Sequence, residues 1–200
     1  MNRSQAGASR AAGTATRLAP GRRERTRNAL VAAATDVFLE RGYDGATTGE
    51  IARQAGVAAG TFYLHFEDKR EIFGAVSSQV GRELLAQLRE LASPGMAGSD
   101  LVRITLEMVT EHWRSNRELT RLILSGGPAL GMADENAFVD EVCQVIEEIG
   151  TRRGTDAMAL ALYLVGLSQQ LGHLIVARPD ARAEVEALIA LSADRLGSNP

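Results

Sequence analysis

Between Thr47 and Lys69 the chain gathers side chains that can hold a polyanion rather than break a bond. Thr47 and Thr48 bring hydroxyls, Tyr63 a phenol and Lys69 an ammonium, all groups that hydrogen-bond or pair with phosphate oxygens. Ala59, Gly60, Thr61, Leu64 and His65 fall in a second, shorter register that can face base edges. Thr61 can bond a base or pack its methyl on thymine, and Gly60 lets backbone come close. Phe62 and Phe66, set among them, are expected to be core. Nothing in the 200 residues supplies the usual catalytic constellations: a Gly-rich phosphate loop, a nucleophile elbow or a metal-binding helix pair. The expectation is a protein that is not an enzyme and needs no cofactor and no metal.

These residues need a frame. Ile51, Ala52 and Ala55 set one apolar side of a short helix, and Thr47 or Thr48 can cap its start. Glu50 stands three residues after Thr47, the spacing at which cap and carboxylate satisfy each other's amides. Gly56 stops the helix by taking a left-handed conformation, Val57 turns inward, and a second helix begins. Two short helices about a tight glycine turn form a helix-turn-helix, whose second helix fits a DNA major groove.

The stretch resembles the DNA-binding domain of the TetR family of bacterial transcriptional repressors. The matching residues are Thr47-Thr48, Ile51-Ala52, Ala55-Gly56-Val57, Gly60-Thr61-Phe62-Tyr63, His65-Phe66 and Lys69. Two positions depart from the family's usual form. Ala58 stands where a serine caps the recognition helix, and Ala59 where a lysine or other polar residue is frequent. The resemblance implies an all-α homodimer: a three-helix DNA-binding domain, then middle helices around a small-molecule pocket, then two helices at the dimer interface.

The rest of the chain reads as helix throughout. Residues 1–21 lack an apolar stripe and carry several arginines, which predicts a disordered basic tail. A first helix is expected over Arg25–Arg41, with Leu30, Ala34, Val37, Phe38 and Arg41 on its buried face and Gly42 as its stop. It completes a DNA-binding domain over 22–73 around the motif at 47–66. A long helix from Asp68 to Ala92 carries Ile72, Val76, Val80, Leu84, Leu88 and Leu91 on one face. Further helices are expected from a cap at Ser99 or Asp100 to Arg114, over Glu118–Leu124, and over Asp134–Arg152. About nine helices result, with 74–200 forming a ligand-binding and dimerisation domain.

Ala157–Ala177 carries no formal charge and is long enough to span a bilayer. Ser168, Gln169, Gln170 and His173 are costly in lipid, however, and leucines at 160, 164, 167, 171 and 174 trace a packing seam. The expectation is a buried helix that pairs antiparallel with Ala181–Leu196, two such pairs making a four-helix dimer interface over about 156–196. Candidate effector-pocket residues are Met108, His112, Trp113, Met132, Phe138, Tyr163 and Gln169.

Charge supports the division. Residues 1–73 hold eleven Lys and Arg against eight Asp and Glu, and the remainder eleven against seventeen. The basic front suits DNA. One cysteine, Cys143, rules out an internal disulfide and fits a reducing cytoplasm. The expected function is a sequence-specific regulator, a homodimeric repressor that a small molecule releases from a palindromic operator. The alternatives are a TetR-like activator and a membrane-associated helical protein without DNA specificity.

Overall fold

A computed structural model describes residues 21–125, 135–150 and 156–197. All regular structure among them is helical. The order is α1 (Arg22–Gly45), α2 (Thr48–Gln54), α3 (Ala59–Phe62), α4 (Lys69–Leu91), α5 (Gly98–Ser115), α6 (Arg117–Ser125), α7 (Glu135–Ile149), α8 (Ala157–Ala177) and α9 (Arg182–Gly197). The expected tail at 1–21 lies outside the described residues save for Gly21.

Local chemistry explains most of these boundaries. The α1 segment runs past the expected stop, but Gly42 sits at φ 70 and ψ 171, so the chain kinks where the glycine was expected to end the helix. Asp68 caps α4 by accepting from the Glu71 amide at 2.8 Å. Asp156 caps α8 through the amides of Met158 at 3.0 Å and Ala159 at 3.1 Å. The expected cap at Ser99 or Asp100 is absent: α5 starts earlier, at Gly98, and Ala97 at its N-terminus offers no side-chain acceptor.

Two cores form. The first takes Leu30, Ala34, Val37 and Phe38 from α1, Ile51 and Ala52 from α2, Phe62 from α3, Phe66 from the loop that follows it, and Ile72, Phe73 and Val76 from α4. Phe38 and Phe73 meet edge to face at 5.2 Å, and Tyr43 and Phe73 at 5.1 Å. Arg41, expected on the buried face, points outward and pairs with Glu50 at 2.7 Å, because an unpaired guanidinium is too costly to bury. The second core joins α4, α5, α7, α8 and α9 around Leu84, Leu101, Leu106, Ile146 and Leu164. Leu91, assigned to the inner face of α4, is instead 57% exposed at the helix end, where the chain turns away before a further turn can cover it. Cys143 is buried there, its pKa raised first by burial, as expected of a small apolar residue.

Helix α8 has the length and composition of a membrane span. It packs against α5, α6 and α7, and buries Leu160, Ala161, Leu164, Leu171, Gly172 and Ile175 in the second core. Gly172 permits the closest approach: a Cβ there would meet Leu124 Cδ1 at 2.8 Å and Trp113 Nε1 at 3.3 Å. The expected antiparallel pairing of α8 with α9 is not the main packing. Helix α9 lies chiefly on α5. Met158, Leu162 and Tyr163 on α8, with Leu188 and Leu191 on α9, are exposed at 39%, 57%, 41%, 39% and 60%.

Candidate DNA-binding surface and effector cavity

The helix-turn-helix is built as its capping residues require. Thr47 accepts from the Glu50 amide at 3.3 Å, and its own amide donates to Glu50 Oε2 at 3.2 Å. Glu50 therefore joins three partners, the Thr47 amide, the Thr47 hydroxyl at 2.9 Å and Arg41. The Thr47 side-chain bond is the main cause that holds its carboxyl below the ordinary range. Gly56 makes the turn at φ 71, and the Val57 amide donates to Ala52 O at 3.0 Å. Helix α3 is only four residues long and has no side-chain cap, as Ala58 foreshadows.

Phe62 and Phe66, 0% and 1% exposed, root this unit in the core. Their burial leaves Ala59, Gly60, Tyr63 and Leu64 on the outer side, while Thr61 and His65 are half-buried at its edge. Tyr63 at 59% and Leu64 at 71% are unusually open for such side chains. The Tyr63 hydroxyl lies 3.0 Å from Thr48 Oγ1, so two of the expected phosphate-facing groups are held as one pair across the turn. Arg27 of α1 places its guanidinium 4.9 Å from the centre of the Phe66 ring, which brings a cation beside the unit. Its spacing, three residues before Leu30, carried no signal of that contact in the sequence.

Lys69 is placed differently from its expected role. Its ammonium donates to the carbonyls of Tyr43 at 2.7 Å, Ala46 at 3.0 Å and Asp44 at 3.3 Å, and lies 4.6 Å from the Tyr43 ring centre. Three protons meet three carbonyls at the end of α1, which satisfies acceptors that helix geometry leaves open. The residue ties α4 to the α1–α2 connection, and its charge is already engaged.

The second core contains a cavity of about 250 Å³ between α4, α5, α6, α7 and α8. Of the sequence candidates, Met108, Trp113, Phe138 and Gln169 line it. His112 does not. It stacks edge to face on Trp113 at 5.3 Å, and its Nε2 is buried with no partner among the described residues. Burial lowers its pKa, with Glu83 acting in the opposite sense. Tyr163 is on the open side of α8, and Met132 lies outside the described residues. Sequence reasoning missed the α4 wall of Ser77, Val80, Gly81, Leu84, Leu85 and Leu88. The one available signal was Gly81 inside a regular apolar stripe. There the Phe138 ring approaches so closely that a Cβ would lie 2.7 Å from Cε2.

Residues 30–76 match the model of bacterial regulatory proteins of the tetR family. The HTH-type transcriptional repressor BepR of Brucella suis is 30% identical over 157 residues, 74% of this chain and 68% of BepR. The chain belongs to the TetR family. A TetR-family transcriptional regulator from Pectobacterium atrosepticum superposes with a TM-score of 0.64 at 25% identity, over 88% of this chain and 95% of that one. The transcriptional regulator FadR of Bacillus subtilis, in complex with stearoyl-CoA, gives 0.59 at 18% identity, over 86% of this chain and 97% of FadR, a likeness of fold alone. This TetR-family chain is thus a transcriptional regulator with an N-terminal DNA-binding helix-turn-helix domain, and α2–α3 is that motif.

Proposed function

We propose that the protein is a homodimeric repressor, released from a near-palindromic operator when a small molecule occupies the cavity. One observation carries this reading. Helix α4 gives Ile72, Phe73 and Val76 to the DNA-binding core, and Val80, Leu84, Leu85 and Leu88 to the cavity wall. A ligand that fits only one setting of α4 therefore shifts the population between DNA-competent and DNA-incompetent spacings of two motifs. In this reading 22–73 is the DNA-binding unit, 74–200 the regulatory unit, and the open apolar sides of α8 and α9 pair with a second copy. The name of the relative BepR supports repression.

On DNA, Thr47, Thr48, Tyr63 and the amides at the start of α2 hold phosphate, and Ala59, Gly60, Thr61, Leu64 and His65 face the groove. Lys69 acts as a positioning residue. Two recognition helices about 34 Å apart then read successive major grooves. The test is fluorescence anisotropy with a labelled duplex from just upstream of the coding region, across a salt series, with unlabelled random DNA as competitor. Binding at two chains per site that survives the competitor is expected. One chain per site, or binding lost to the competitor at modest salt, overturns the reading.

A further inference from the structure

We infer that the cavity takes a neutral, largely apolar molecule with a single hydrogen-bonding head, and discriminates against both anions and cations; this rests on the ligand-released reading above. The described lining contains no Asp, Glu, Lys or Arg. An ion carried into such a wall loses water and gains no counter-charge, which selects against it. The apolar wall is broad, with Val80, Leu84, Leu85, Leu88, Val109 and Val142 among its members.

Three polar groups of the lining spend their donors within the protein. Ser77 donates to Phe73 O at 3.2 Å, Thr105 to Leu101 O at 2.7 Å, and Trp113 Nε1 to Ser168 O at 3.2 Å. Those donors are satisfied within the protein. The other polar side chains on the wall, Ser168, Gln169 and His173, all belong to α8. The Ser168 hydroxyl makes no hydrogen bond to the described residues. His173 Nδ1 lies 2.8 Å from Gln169 O, and a carbonyl only accepts, so Nδ1 donates there. His173 is exposed, which sets this polar corner at the mouth and the leucines and valines inside. A hydroxyl, ketone or ester head fits that corner, with a hydrocarbon body behind it. A 150 Å³ apolar cavity holds benzene, so 250 Å³ suits a ligand of about 10–15 heavy atoms.

Trp113 is the only tryptophan in the chain and lines the cavity, so its fluorescence reads occupancy without DNA. The full-length protein is titrated with 1-decanol, decanoate, decyltrimethylammonium and decanoyl-CoA, which share one chain length and differ in head. Saturable fluorescence change with 1-decanol, at a Kd at least tenfold below that of each charged probe, is expected. Val165→Trp, read by competition with a fluorescent fatty alcohol, should abolish binding by filling the space, and Leu84→Phe, which retains a single tryptophan, should weaken it. Ser168→Ala should weaken 1-decanol binding several-fold. Equal or tighter binding of any charged probe overturns the inference, as does failure of all four to saturate. Saturable 1-decanol binding that leaves operator affinity unchanged upholds the ligand class and overturns ligand release.

Discussion

The two cores of this protein are made of similar helices and solve opposite problems. The first closes fully around Phe38, Phe62, Phe66 and Phe73, all within 1% of complete burial, and leaves its specialised groups outside. The second keeps about 250 Å³ open between α4 and α8 and places its specialised groups inside. The difference lies in the aromatic content. Interlocked rings fill a small domain from several directions, whereas Leu and Val along straight helices meet at stripes and leave space between them. Glycine has contrasting uses as well. Gly56 turns the backbone in the motif, while Gly81 and Gly172 admit Phe138, Leu124 and Trp113 against helix backbone beside the cavity.

The comparison breaks if the tightly packed domain is not the one that fails first. Phe62→Ala should cost about 3–5 kcal/mol, the usual loss for a buried aromatic. Urea denaturation should then show the DNA-binding domain unfolding before Trp113 fluorescence changes. A single shared transition would mean that α4 couples the two cores into one cooperative unit.

Lys69→Met sharpens the contrast by a smaller step. It leaves three carbonyls at the end of α1 without their donor, at a cost of about 1–3 kcal/mol. Melting temperature should fall, and operator affinity should fall with it at every salt concentration. If affinity fell while melting temperature and far-UV signal stayed at the wild-type value, the ammonium would be serving DNA directly.

Glu50→Gln should give the smallest effect, and one that depends on pH. The folded carboxyl sits below the ordinary carboxylate value, chiefly through the Thr47 side chain. Its stabilisation is therefore present above that value and is lost as pH falls through the depressed folded pKa. The wild type should melt higher than the variant at pH 7, and the gap should close as pH drops below the ordinary carboxylate range. A gap independent of pH would mean that the cap works without the charge.

How much could be read before any coordinates follows from where each signal is encoded. The turn at Gly56, the cap at Thr47 with Glu50 and the extent of α8 all rest on contacts within a few residues. Sequence spacing states those contacts directly. Arg41 and Leu91 were misplaced because a stripe defines a face but not where the covering neighbour stops.

The sequence by itself determined the all-helical architecture, the helix-turn-helix and the family, since capping, periodicity and motif spacing are local properties. Only the tertiary structure decided that Lys69 serves α1, that α9 lies chiefly on α5, and that the described cavity wall holds no Asp, Glu, Lys or Arg. Each of those depends on which faces meet between stretches far apart in the chain, and no local spacing encodes that meeting.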